Sequence, residues 1–225
     1  MNSLEMLAHI AKGLGPLKDK VVFVGGSTVS LYLTDPGAAT VRPTEDVDCV
    51  MQVLTLGQYY KLEGELERLG FRHVTEKDAP ICRWSYKGLT TDIMPTEGAV
   101  LNFKNSWYPD GYEHAITVKL PGGEHVRIFS LPYFLASKIE AFADRGHGDF
   151  LTSPDMEDII TVLDGSETVA EEISAAPAKV QKHLAEKFRE FLQDDRFAES
   201  LEGNLRSPAG TAGRVERIKN ILASL

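Results

Sequence analysis

Two aspartates separated by one residue, Asp46 and Asp48, lie in a run that reads as a β-strand, Asp46 to Val53. Alternate side chains of a strand share a face. Asp46 and Asp48 therefore point one way, while Val47, Cys49 and Met51 point the other, into a core. Two like charges roughly 7 Å apart on one face repel each other, and a divalent cation bridging them removes the conflict. Mg²⁺ takes one or two carboxylates and fills its remaining positions with water and phosphate oxygens. A third carboxylate, Asp92, lies in a second β-like run, Leu89-Thr90-Thr91-Asp92-Ile93-Met94. It joins the pair only where its strand lies beside theirs. There it would complete the site and take the proton of an attacking hydroxyl, or hold a second metal ion.

Upstream, Val24-Gly25-Gly26-Ser27 reads as a strand end, two glycines and a helix start. Two readings stand. One is a plain turn, for which glycine is an ordinary choice. The other is a phosphate cradle: glycines allow close approach of backbone to ligand, a helix start offers unpaired N–H groups, and Ser27 adds a hydroxyl. Phosphoryl and nucleotidyl transfer need positioning and charge neutralisation above all. A cradle facing three carboxylates supplies both.

Other charged side chains carry paired readings. Arg42 contacts phosphate, as its planar fork suits an oxyanion, or braces its loop on Glu45. Lys138 lies on the apolar side of a predicted helix with Phe134, Leu135, Ile139 and Phe142. It either snorkels along the core or brings its charge to a triphosphate. Asp155 and Asp158 stand near the start of the next helix, where the dipole favours carboxylates whatever their task. His147 and Asp149 have no second histidine at ligand spacing and read as a loop. Trp84 and Tyr86 read as core, and Trp107-Tyr108-Pro109-Asp110-Gly111 reads as a loop able to touch an acceptor.

The elements that must hold these residues fall into two textures. Up to residue 130, short β-like runs alternate with helical patterns: an opening helix from Ser3 to Leu14, a buried strand Val21 to Val24, and a short helix with Val29, Tyr32 and Leu33 on one side. A loop through Pro36-Gly37 leads to the Asp-x-Asp strand. The spacing then predicts a helix from Thr55 to Leu69, with Thr55 as N-cap and Gly70 just beyond its end. Strands follow at Phe71–Val74, Ile81–Tyr86 and Leu89–Met94, the last two joined at Lys87-Gly88. A hairpin spans Ala115 to Phe129. From residue 131 nearly everything reads as helix, from Pro132 to Arg145, from Ser153-Pro154 to a point before Gly165, and in two or three further segments to the C-terminus. The expectation is an α/β (α+β) domain with a mixed sheet over residues 1–130 and a helical C-terminal domain over residues 131–225.

Composition narrows the function classes. The 225 residues carry 33 acidic and 24 basic side chains, a net charge of −9. That balance lowers the expectation of a protein devoted to gripping a nucleic-acid backbone and suits a carboxylate site for Mg²⁺. Cys49 and Cys82 form no metal or disulfide pattern, no apolar run approaches the ~20 residues of a membrane span, and the N-terminus lacks a signal-peptide core. The expected location is the cytoplasm, with no membrane partner.

Taken in order, Gly25-Gly26-Ser27, Asp46-Val47-Asp48 and Asp92 resemble the signature of the polymerase-β superfamily of nucleotidyltransferases. Within it the chain is most similar to the AbiEii-type group, which includes toxins of toxin–antitoxin and abortive-infection systems. That likeness extends to Arg42-Pro43-Thr44-Glu45, to Pro132-Tyr133-Phe134-Leu135-Ala136-Ser137-Lys138, and to Ser153-Pro154-Asp155-Met156-Glu157-Asp158-Ile159. It spans roughly residues 20 to 165 and leaves the last helices unplaced. The spacer from Thr28 to Glu45, 18 residues, exceeds the most compact form of the signature, the extra length falling in the Pro36-Gly37 loop. The resemblance implies Asp46, Asp48 and Asp92 as catalytic metal ligands for Mg²⁺. It implies Gly25, Gly26, Ser27, Arg42, Thr44, Lys138 and Asp158 as residues binding a nucleoside triphosphate (ATP or GTP among them). The nucleotide would pass to an acceptor hydroxyl on RNA, a protein or a small molecule, and an antitoxin protein would be a further partner. The alternative is an inactive nucleotide-binding or interaction module of the same fold.

Overall fold

Val21-Val22-Phe23-Val24 shows no polar alternation because its strand, β1 (Val21–Val24), is buried on both faces. The structure is a computed structural model and describes residues 1–38, 40–77, 79–101, 105–146, 148–205 and 211–225. His147 lies outside the described residues. Strands β2 (Asp46–Met51), β3 (Arg72–His73), β4 (Arg83–Tyr86), β5 (Leu89–Pro95), β6 (Ile116–Lys119) and β7 (His125–Ile128) join β1 in one seven-stranded sheet. Its order is β3-β4-β5-β2-β1-β7-β6. The pairs β2–β5 and β1–β7 are parallel and the remainder antiparallel. This is the mixed sheet expected from the alternating pattern.

Chain contacts divide the protein into two units. The first comprises Met1–Thr28 and Pro43–Ser130, the second Val29–Arg42 and Leu131–Leu225. In the first, helix α1 (Ser3–Leu14) opens with a capping box between Asn2 and Glu5 and packs on β2 and β5. Gly13 lies so close to the Tyr86 ring that a Cβ there would meet it at 2.5 Å. Helix α2 (Leu56–Arg68) begins at Thr55, whose side chain accepts from the Gln58 N–H while Gln58 reaches back to the Thr55 N–H. It ends before Gly70, at φ +93°. Lys87 and Gly88, both at positive φ, turn the β4–β5 hairpin. After α3 (Gly98–Leu101), the expected Trp107–Gly111 loop forms a short helix instead, α4 (Tyr108–Glu113), started by Pro109. Trp107 is buried beside it, so it offers no open surface to an acceptor.

The second unit is helical: α5 (Leu131–Asp144), α6 (Pro154–Gly165), α7 (Val169–Ala175), α8 (Ala178–Leu192), α9 (Asp195–Asn204) and α10 (Thr211–Ala223). Val180, Leu184, Phe188 and Phe191 form the buried stripe of α8 at helical spacing. Phe142, Phe150, Phe191 and Phe197 interlock in tilted and edge-to-face pairs with centroids 4.9 to 5.9 Å apart. Residues 29–42 belong to this core. Tyr32 packs on Phe134, and the Thr34 and Asp35 N–H groups donate to the Gly165 carbonyl. No helix among the described residues is long and apolar enough to cross a membrane.

Candidate active site

The site in the first unit is set by register. Across β1, β2 and β5, Val24, Asp48 and Asp92 stand in one row: Val24 pairs with Asp48, and Asp48 with Asp92. Asp46 pairs with Thr90. Because β2 and β5 are parallel with these partners aligned, the outward positions of one match those of the other. Asp46, Asp48 and Asp92 thus project from the same face. Each offers a carboxylate oxygen, and these atoms all lie within 4.8 Å of one another. Asp92 is buried, with Asp46 and Asp48 partly exposed. Three hard oxygen donors at this separation fit a divalent cation.

Gly25 closes one side. Its φ is +74°, a conformation that penalises any side chain, and a Cβ there would meet Asp48 Oδ2 at 2.2 Å. Only glycine lets the Asp48 carboxylate lie against the backbone at this point. The following residues turn as a 3₁₀ helix, Gly26–Leu31, tighter than an α-helix. Thr28 fastens the turn, its N–H and hydroxyl both donating to the Gly25 carbonyl. The Ser27 hydroxyl is buried and donates to the Val24 carbonyl at 3.4 Å. Thr44 donates to Asp46 Oδ1 at 3.2 Å and so orients the first carboxylate.

One site residue had no place in the sequence reading. Arg83 on β4 pairs in register with Asp92, and its guanidinium forks onto that carboxylate at 2.8 and 2.7 Å. It also reaches Asp46 at 3.5 Å. The Asp92 hydrogen bond holds the Arg83 guanidinium firmly protonated. Three clustered carboxylates thus carry a fixed counter-charge, which eases their mutual repulsion without filling the group. The signal was present in the strand alternation: Arg83 and Ser85 face opposite to the buried Trp84. Nearby thiols are excluded as nucleophiles, because burial pushes both Cys49 and Cys82 up, the latter to about 12.

The remaining candidates gather in the second unit. Arg42 forks onto Asp158 at 2.8 and 3.0 Å, not onto Glu45. Lys138, almost fully buried, donates to Asp155 at 2.9 Å and Asp158 at 2.6 Å. Arg145 forks onto Asp155, both bonds 2.8 Å. Asp155 and Asp158 stand one turn apart on α6, which packs on α5, so the Lys138 ammonium bridges the two helices. Burial alone would lower the Lys138 pKa, but the charges of Asp158 and Asp155 outweigh it and raise it. For Asp155, burial would raise the carboxyl, and the Arg145 and Lys138 partners outweigh it, leaving a value of about 2.

No family model matches the chain, and no curated protein matches it in sequence. Solved structures do. The aminoglycoside nucleotidyltransferase ANT(2'')-Ia, an antibiotic-resistance factor solved in solution, matches at 16% identity and a TM-score of 0.52, over 86% of this chain and 97% of that one. The fold is nucleotidyltransferase-like. A second likeness, to JHP933 from Helicobacter pylori, has 12% identity and a TM-score of 0.49, over 99% of this chain and 90% of that one. At such identities the likeness concerns the fold and its helical C-terminal part. The acidic face is read from this chain's own residues.

Proposed function

We propose that the chain is a Mg²⁺-dependent nucleotidyltransferase, moving a nucleotide from a nucleoside triphosphate to an acceptor hydroxyl. The observation that carries this reading is the parallel register of Asp48 and Asp92, which gathers three carboxylates beside Gly25. Asp46, Asp48 and Asp92 would hold the metal, which when bound neutralises and aligns the triphosphate. The acceptor oxygen forms a bond to the α-phosphorus as the bond to the departing pyrophosphate breaks. Asp92 takes the hydroxyl proton, and Arg83 fixes the orientation of that carboxylate. Gly26 and Ser27 start the 3₁₀ turn, so their N–H groups have no partner within it and suit phosphate oxygens. In the second unit Arg42 is the more exposed cation of the Arg42–Asp158–Lys138 chain. In this reading it meets the nucleotide, while Lys138 and Asp158 position it. The resemblance to AbiEii-type enzymes suggests a cytoplasmic toxin countered by an antitoxin, tested by toxicity on expression and its relief by a neighbouring gene.

Asp46→Asn should abolish transfer of labelled nucleotide from an NTP and Mg²⁺ while leaving the circular dichroism and melting temperature near those of the parent. Retained turnover in that variant would falsify the mechanism. The fork of Arg83 on Asp92 supports a second reading, nucleotide binding without transfer. Tight NTP binding with no product in single-turnover assays, across RNA, protein and small-molecule acceptors, would favour it.

A further inference from the structure

Arg83 is in contact with two of the three carboxylates. Its Nε donates to Asp92 Oδ1 at 2.8 Å and its Nη2 to Asp92 Oδ2 at 2.7 Å, so both oxygens of that group are engaged. The same Nη2 stands 3.5 Å from Asp46 Oδ2, while Asp46 Oδ1 accepts from the Thr44 hydroxyl. Arg83 cannot withdraw with its strand. Cys82 and Trp84 on either side of it are buried, the Ile93 N–H donates to the Cys82 carbonyl, and the ladder fixes Arg83 opposite Asp92. The guanidinium charge is permanent. A divalent ion sharing an Asp92 oxygen with Arg83 thus meets like charge one oxygen away, in a partly buried site where salt screens it little. A cation that arrives on a triphosphate brings negative charge of its own, which offsets this repulsion.

We propose that Arg83 sets the order of loading: it holds down the affinity of the carboxylates for bare Mg²⁺ and leaves them to take the ion as its triphosphate complex. The inference rests on the transferase reading above and adds how that site tells two forms of its metal apart. Were Arg83 only a brace for Asp92, its removal would let that carboxylate swing and would weaken cation binding. An electrostatic guard gives the opposite sign.

Mn²⁺ binding to the full chain without nucleotide, followed by the electron paramagnetic resonance of the free ion, reads that sign. Arg83→Gln should bind Mn²⁺ on the order of tenfold tighter than the parent, the effect of a charge one oxygen from a divalent ion. Arg83→Lys keeps the charge and should bind Mn²⁺ as weakly as the parent. For Mn²⁺–tripolyphosphate the gain in Arg83→Gln should vanish. Arg83 is partly exposed, so both variants should match the parent in circular dichroism. Equal or weaker Mn²⁺ binding in Arg83→Gln, tighter binding in Arg83→Lys, or an equal gain for the tripolyphosphate complex would overturn the proposal. Equal binding to parent and Arg83→Gln removes the guard and leaves the carboxylate site standing. Binding of Mn²⁺ to neither, alone or as the complex, takes the transferase reading down with it.

Discussion

At the level of single residues, the site depends on a missing side chain as much as on those present. Gly25→Ala places a methyl group within Asp48 and forces a left-handed backbone on alanine. A cost of about 1–2 kcal/mol and a loss of Mg²⁺-supported transfer should follow. Calorimetry and an activity titration with Mg²⁺ check both, and an alanine variant with full activity would remove Gly25 from the site. Lys138→Ala leaves two buried carboxylates short of a partner, and should destabilise the chain by about 3–5 kcal/mol in denaturant titrations. A change under 1 kcal/mol would mean that Arg42 and Arg145 suffice. Sequence made part of this visible. The Asp-x-Asp spacing put Asp46 and Asp48 on one face, and the apolar stripe around Lys138 pointed it inward. The ion pairs of Lys138 with Asp155 and Asp158, and of Arg83 with Asp92, were hidden because each joins residues whose helical or strand faces are known only separately.

Among elements, most strands and helices followed their local signals, and their neighbours did not. The run from Thr55 to Gly70 announced its own helix, because cap, apolar stripe and terminal glycine follow one another in a single continuous segment. Thr55→Ala should accordingly cost about 1 kcal/mol, read as a lower denaturant midpoint with unchanged slope. An unaltered midpoint would mean that the Gln58 side chain alone secures the N-terminus. By contrast, β2 pairs with β5 although α2, β3 and β4 intervene. Long-range parallel pairing has no local signature, so the convergence of Asp48 and Asp92 was conditional until the sheet order was known. The 3₁₀ turn after Gly26 and the helix at Tyr108 were likewise settled by packing, Gly111 against Phe129 in the second case.

For the whole molecule, chain contacts group Met1–Thr28 with Pro43–Ser130 and Val29–Arg42 with Leu131–Leu225, a sheet-based unit and a helical one. Acid should weaken the helical unit through Asp155. Its folded carboxyl lies at about 2, below its ordinary 3.8, so its stabilising contribution is complete above about 4 and is lost as pH falls towards 2. The amount is about 2 kcal/mol at most, since Arg145 stands in solvent. Thermal melts at pH 5, 3 and 2 should show a steeper loss in the parent than in Asp155→Asn. Parallel losses would assign the acid sensitivity elsewhere.

The strand-to-strand passage from β1 to β2 carries a second implication. Residues 29–42 leave the sheet-based unit, are held by Arg214 through Asp35 and Asp164 and by the Gly165 carbonyl, and return at Pro43. A shortened chain ending at Ser130 would keep this excursion while deleting everything that clothes it, leaving Tyr32 and the Thr34 and Asp35 amides bare to water. Expressed alone, residues 1–130 should therefore be sticky and poorly soluble, whereas residues 131–225 should want a separate 29–42 peptide added back before they become well ordered.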